Sequence, residues 1–219
     1  FKILNSPSEG LRRCANFIFL KKMNPPDGIP YKLLTYPYGE YVLSGSSVGV
    51  WVAAIDKSYG KAEITEPIYY SVESDNTTVG QAVINNDGYA TLYGDGDVYF
   101  SAVTGEAYGS TMLHSVSNPD SIVIKNESDG SEVSSLSVSS GQTVYLTADS
   151  VYQNINLTDS DEAYSWSVSD ENLGTISADG TFIPGNVSGT GTINVSAGSV
   201  SASVNLTVSA GPEQIPTST

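Results

Sequence analysis

Four short segments of this chain recur in the same order, which constrains its fold more than any other feature. The pairs are 48–50 with 144–146 and 70–72 with 166–168 at an offset of 96, 84–88 with 176–180 at an offset of 92, and 98–102 with 193–197 at an offset of 95. Four matches with small length changes between them indicate a duplication. The chain is therefore predicted to contain two copies of one domain of roughly 90 residues.

Within each copy the hydrophobic residues repeat with a period of two. Val144, Leu146 and Ala148, for example, alternate with polar or aromatic residues, as in a strand with one buried face. Asp-Gly pairs at 87–88 and 179–180 separate such runs, and glycine supplies the positive φ of a tight hairpin. About seven short strands per copy predict a two-sheet antiparallel sandwich with almost no helix.

Charge is distributed unevenly along the chain, whose net charge is −15. Residues 1–33 carry six cations and two acids, whereas residues 34–219 carry three cations and 22 acids. Such an acidic body repels phosphate, so nucleic acid and anionic lipid are excluded as partners. No apolar run approaches the ~20 residues that span a bilayer, so no membrane insertion is expected.

The residue inventory also limits the chemistry. One Cys and one His leave no disulfide within the chain and no material for a Cys/His zinc site or a His-based triad. No catalytic residue, cofactor site or metal site is predicted, and the chain is not expected to be an enzyme.

The second copy resembles a known family. Residues 164–208 read YSWSVSDENLGTISADGTFIPGNVSGTGTINVSAGSVSASVNLTV, which is similar to bacterial Ig-like domains (BIG2-type) of surface proteins. Trp166, the Asp-Gly turn at 179–180 and the Gly-Thr-Gly run at 189–191 occupy the matching places, and Tyr70 takes the place of the Trp in the first copy. The resemblance implies all-β, tandem Ig-like antiparallel β-sandwiches, an extracellular or cell-surface location and a role in cell adhesion.

The N-terminal segment bears a second resemblance. Residues 6–20, SPSEGLRRCANFIFL, are similar to the carboxyl-terminal end of a phosphodiester glycosidase catalytic domain, which implies a catalytic domain upstream of Phe1. The expected division is a basic strand or hairpin remnant at 1–24, Ig-like domains at 25–118 and 119–210, and a flexible tail at 211–219.

Four aromatic residues form the predicted binding surface. Tyr36, Tyr38 and Tyr41 lie in the run TYPYGEY, and exposed Tyr and Trp are natural contacts for sugars or proteins. The repeat aligns Trp51 with Thr147, on the outward phase of its strand. The alternative to a binding role for Trp51 is that it packs against residues 1–32 or another molecule. The alternative for the tyrosines is that they pack as ordinary sandwich residues.

Other candidate residues are weighed against structural roles. Arg12 and Arg13 form either an anion site or a solvated hairpin, and Cys14 is expected to pack in a strand. His114 is expected to point to solvent. Two acidic loops, containing Asp95 and Asp97 and containing Asp159, Asp161 and Glu162, are candidate calcium sites or ordinary turns. Six Asn-x-Ser/Thr sequons are expected by chance in a chain rich in Ser, Thr and Asn.

These observations predict a non-catalytic C-terminal spacer and interaction region of a secreted or cell-surface bacterial protein. Its expected partner is a glycan or a surface protein, and the chain is expected to be a monomer. Two alternatives stay open: an accessory part of a phosphodiester glycosidase, and a carbohydrate-binding module.

Overall fold

The computed structural model describes residues 27–73 and 81–211. The predictions for the remnant at 1–24, including Arg12, Arg13 and Cys14, and for the tail beyond residue 211 lie outside the described residues. The chain divides into two compact units: unit 1 is Phe1–Val42 with Ser47–Ser115, and unit 2 is Leu43–Ser46 with Val116–Thr219.

Ten strands are described in the first part of the chain, which is mostly unit 1. They are β1 (Lys32–Tyr36), β2 (Tyr41–Leu43), β3 (Ser47–Gly49), β4 (Trp51–Ile55), β5 (Lys61–Ala62), β6 (Tyr69–Glu73), β7 (Gln81–Ile84), β8 (Tyr89–Tyr93), β9 (Gly96–Thr104) and β10 (Ala107–Val116). One sheet has the order β3-β8-β7, and the other has the order β5-β4-β1-β10-β9-β6 with β2 beside β10. Strand β1 pairs with both β4 and β10. In a simple sandwich these two strands lie in separate sheets, whereas here β1 connects them within one sheet.

Nine further strands belong to unit 2. They are β11 (Ser121–Asn126), β12 (Ser135–Ser139), β13 (Val144–Tyr152), β14 (Ile155–Asn156), β15 (Ser165–Val168), β16 (Gly174–Ile176), β17 (Thr181–Pro184), β18 (Gly189–Ala197) and β19 (Val200–Ser209). The sheets have the orders β11-β13-β17-β16, with β14 beside β13, and β12-β19-β18-β15. These orders match the ABED and CFG sheets of an immunoglobulin-like sandwich. The predicted all-β fold is confirmed, and the only helical elements among the described residues are two short 3-10 turns.

The repeat is visible in equivalent hydrogen bonds. The amide of Val50 donates to the carbonyl of Gly88 at 2.7 Å, and the amide of Leu146 donates to the carbonyl of Gly180 at 3.1 Å. Both glycines have positive φ, +82° and +79°, as the predicted Asp-Gly turns require. The offsets of 96 and 92 are therefore confirmed.

The offset of the fourth matched pair, 98–102 with 193–197, is two residues smaller than predicted. Tyr70 lies opposite Ala102 on β9, and Trp166 lies opposite Val195 on β18, which gives an offset of 93 instead of 95. A shift of two residues keeps every side chain on its own face of the sheet. The alternation of apolar and polar residues therefore could not distinguish the two alignments.

Tyr70 and Trp166 occupy equivalent positions and are half-buried. Each packs over the glycine of its Asp-Gly turn: a Cβ on Gly88 would lie 2.9 Å from Cζ of Tyr70, and a Cβ on Gly180 would lie 3.5 Å from Cε2 of Trp166. Burial raises the pKa of the Tyr70 hydroxyl. Tyr70 also packs against the main hydrophobic core of unit 1.

Each unit has its own hydrophobic interior. In unit 1, Phe100 packs with Val48, Val50, Leu92 and other buried residues. In unit 2, Phe182 is fully buried, as are residues of β18 and β19. The outer faces of the sheets are left to carry polar or aromatic residues.

Candidate functional site

Trp51 is one of the exposed aromatic residues of unit 1. It is the first residue of β4 and lies opposite Tyr36 of β1 in the antiparallel register. Val50 precedes it and is buried in the core, so Trp51 points to the other face of the chain. Its side chain is 52% exposed.

Two neighbours hold the indole of Trp51 in place. A Cβ on Gly49 would lie 3.2 Å from three atoms of the indole, so the ring lies directly over the backbone of this glycine. The ring of Tyr89 meets the indole edge to face, with centroids 6.3 Å apart and an interplanar angle of 71°. Tyr36, Gly49, Trp51 and Tyr89 are referred to below as the Trp51 surface.

The other two predicted residues lie elsewhere in unit 1. Tyr41 stacks on His114 with ring centroids 4.5 Å apart, and Tyr38 is exposed between β1 and β2. Nδ1 of His114 lies 2.6 Å from Oδ1 of Asp97. His114 is therefore partly covered, where it was predicted to point to solvent, because Tyr41 of the adjacent strand β2 stacks on its ring.

Tyr89 was missed at the sequence level. It directly follows the turn at 87–88, and β8 pairs with β3 so that Tyr89 lies opposite Gly49. Turn chemistry and the repeat predicted the hairpin, but they did not predict which outward residues of β3, β4 and β8 would meet.

The candidate calcium loops use their carboxylates for local contacts. Asp97 is engaged by His114, and Asp159 accepts a hydrogen bond from the Tyr164 hydroxyl. Within residues 27–73 and 81–211, no three His, Cys, Asp or Glu side chains come together in a way that could hold a metal ion.

Asp159 belongs to a buried polar cluster in unit 2. Its Oδ2 accepts hydrogen bonds from the amide of Ser150 at 3.0 Å and from the hydroxyl of Tyr164 at 2.5 Å. The Ser150 and Tyr164 hydroxyl oxygens are 2.8 Å apart. Burial raises the pKa of Asp159, although these hydrogen bonds act in the opposite direction, and burial also raises the pKa of Tyr164.

This cluster predicts a defined pH dependence for unit 2. The folded protein binds the Asp159 proton more tightly than the unfolded chain does. Its contribution to the free energy of unfolding is therefore greatest below its unfolded pKa of about 3.9 and declines as the pH rises through its higher folded pKa. Asp159→Asn should accordingly gain stability relative to the wild type as the pH rises above about 4.

Urea unfolding at several pH values measures this difference, with Trp166 fluorescence as the probe of unit 2 in a Trp51→Phe background. A stability difference that stays constant with pH would contradict the assignment. Tyr164→Phe is the companion variant. It removes a hydroxyl that lowers the pKa of Asp159, so the pH-dependent step should move to higher pH.

The described residues contain no helix long and apolar enough to cross a membrane. Exposed aromatic residues are the main candidate contact features on the sheets of unit 1.

Comparisons with known proteins give no match in sequence and loose matches in structure. No family model matches the sequence, and no curated protein matches it. Domains 5–6 of the S-layer protein SbsC align over 86% of this chain and all of that fragment, with 16% identity and a TM-score of 0.37.

Two adhesion proteins also align. The EC1-2 fragment of human protocadherin-24 covers 84% of this chain and all of the fragment, with 12% identity and a TM-score of 0.28. Invasin, a bacterial integrin-binding protein, covers 83% of this chain with 16% identity and a TM-score of 0.28, and the chain spans 40% of the invasin structure. These superpositions are loose, so the fold assignment rests on the strand order and register of the chain itself.

Proposed function

We propose that this chain is a non-catalytic C-terminal spacer and interaction region of a secreted or cell-surface bacterial protein, with Ig-like domains at 25–118 and 119–210. The proposal is supported by the tandem sandwiches and by the strongly acidic body, which suits an exposed, soluble segment. The observation that carries the interaction role is the Trp51 surface. The proposed state of the chain is a monomer.

The Trp51 surface has the chemistry of a contact site. Trp and Tyr are enriched among residues that dominate binding energy, because they bury a large area at low entropic cost. Gly49 and Tyr89 fix the indole, so little further ordering accompanies binding. A surface protein or a glycan is the proposed partner.

A carbohydrate-binding module is the second candidate function. It is favoured by the same exposed, pre-oriented indole, whose flat face suits the apolar face of a sugar ring. The alternative of an accessory part of a phosphodiester glycosidase rests on residues 6–20, which lie outside the described residues. Sequencing the gene upstream of Phe1 tests it, since a glycosidase catalytic domain must be encoded there.

Fluorescence tests the accessibility of Trp51. The chain has two Trp residues, so Trp166→Phe leaves Trp51 as the only indole. Because Trp51 is half-exposed, we expect red-shifted emission and efficient quenching by acrylamide. Blue-shifted emission that resists quenching would mean that Trp51 is covered, and the Trp51 surface would then be abandoned as a contact site.

Substitution tests the function itself. Trp51→Ala should abolish binding of the full chain to its partner on arrays of bacterial and host glycans and of extracellular proteins. Its free energy of unfolding should change by no more than about 1 kcal/mol, as for surface positions. Tyr145→Ala, at an exposed tyrosine of unit 2, is the matched control and should bind as the wild type does. Equal binding by Trp51→Ala and the control would refute the proposal.

A further inference from the structure

A second aromatic area of unit 1 lies on the outer face of β6, β9 and β10. Tyr69, Val103 and Tyr108 form one row across these strands, because each of the two tyrosines lies opposite Val103. Tyr69 is 69% exposed, Tyr108 48% and Val103 37%. Tyr99, four residues before Val103 on β9, is 37% exposed and lies on the same face.

Hydroxyl groups lie between these aromatic positions. Ser71, Ser101 and Ser110 form the next row across the same strands. Ser71 and Ser110 are exposed, whereas Ser101 is buried, with its Oγ 2.6 Å from that of Ser71. The row of Tyr69, Val103 and Tyr108, the serine row and Tyr99 are referred to below as the tyrosine face.

The second unit shows that the fold does not require these tyrosines. With Tyr70 equivalent to Trp166, the strand registers make Ser165, Ser196 and Ser201 of unit 2 equivalent to Tyr69, Val103 and Tyr108. Tyr99 corresponds to Thr192 by the same registers. The same sandwich therefore carries a plain polar face in one unit and exposed aromatic rings in the other.

The shape of the tyrosine face favours an extended ligand. Tyr69 and Tyr108 are two strand spacings apart, or about 10 Å, and Tyr99 lies about 13 Å along β9 from the first row. Strand β9 is paired on both sides, and β6, which carries Tyr69, is the edge strand of this sheet among the described residues. A single small molecule would reach only one ring, whereas a chain of sugar units spans two or more.

Charge narrows the class of ligand. The residues of the aromatic row, the serine row and Tyr99 are themselves uncharged, while the strand registers place Lys32 opposite Tyr108 and Glu73 opposite Tyr99. The chain as a whole has a net charge of −15, so a second copy of it would be repelled. Flat rings for stacking and hydroxyls for hydrogen bonding instead match an uncharged polyol.

We propose that the tyrosine face of unit 1 binds a neutral polysaccharide chain. The rings of Tyr69 and Tyr108 stack on sugar units, and the exposed hydroxyls of Ser71 and Ser110 form hydrogen bonds with the sugar hydroxyls. This binding is separate from that of the Trp51 surface and does not depend on it.

Affinity gel electrophoresis of the full chain tests the proposal, with cellulose derivatives, xylan, mannan and glycol chitin as neutral or near-neutral probes and heparin as the charged control. We expect at least one neutral polysaccharide to retard the chain, and heparin not to. Tyr69→Ala with Tyr108→Ala should weaken that retardation by about tenfold or more. Tyr69→Phe with Tyr108→Phe keeps the rings and should retain most of it, which distinguishes lost stacking from lost folding.

Two results would overturn the proposal. One is the absence of retardation by every neutral probe. The other is retardation that survives Tyr69→Ala with Tyr108→Ala but is lost in Trp51→Ala, which would place the glycan on the Trp51 surface. Conversely, the two surfaces bind independently if Trp51→Ala still binds the polysaccharide but no longer binds any other partner.

Discussion

Replacing Gly180 with alanine is expected to destabilise unit 2 by about 3 kcal/mol or more, as the sum of two costs. Gly180 has φ of +79°, a conformation that costs an L-residue roughly 1–2 kcal/mol. A Cβ would also lie 2.0 Å from the carbonyl oxygen of Leu146, so the turn must move away from β13. That movement weakens the hydrogen bond between the Leu146 amide and the Gly180 carbonyl.

Gly141 provides the matched control for this substitution. Its φ is +86°, and a Cβ would meet nothing within 4 Å, so Gly141→Ala isolates the conformational cost of roughly 1–2 kcal/mol. Urea unfolding followed by Trp166 fluorescence in a Trp51→Phe background measures both variants. Equal losses at the two positions would show that the turn relaxes freely and that the contact with Leu146 does not constrain it.

The turns explain why so much of the fold is predictable from sequence. The Asp-Gly pairs at 87–88 and 179–180 set the register of the hairpins β7–β8 and β16–β17 through local conformation alone. Each turn then hydrogen-bonds to a residue that the repeat aligns, which is Val50 between β3 and β4 in one unit and Leu146 of β13 in the other. Short-range rules and a duplication therefore suffice for these strands.

Long-range pairing was less predictable. Strand β1 lies between β4 and β10. This position depends on contacts with strands that are distant in sequence, and no local sequence pattern predicts it. The register of β9 was misjudged by two residues, because a slip of two preserves the alternation that guided the alignment.

The candidate surfaces show the same limit. The outward position of Trp51 follows from alternation within one strand, but its contact with Tyr89 depends on the pairing of β3 with β8. Tyr69 and Tyr108 are far apart in sequence and become neighbours of Val103 only through two strand registers. Single-strand periodicity predicts exposure, whereas a surface requires the order of several strands.

Phe100→Ala is expected to destabilise unit 1 by about 3–5 kcal/mol, the cost of removing a large aromatic side chain from a packed core. Phe100 is 1% exposed and packs with Val98, Leu92 and Leu113 in the main core of unit 1. Tyr99 is the adjacent residue on β9 and points to the opposite face, so Tyr99→Ala removes a similar area with a loss of about 1 kcal/mol or less.

Trp51 fluorescence in a Trp166→Phe background follows the urea unfolding of unit 1 in both variants. A large difference between these neighbouring positions is expected, because only one of them lies in the core. If Tyr99→Ala were as destabilising as Phe100→Ala, the tyrosine face would be needed for folding. Its aromatic rings could then no longer be assigned to binding, since the stability of the sheet would account for them.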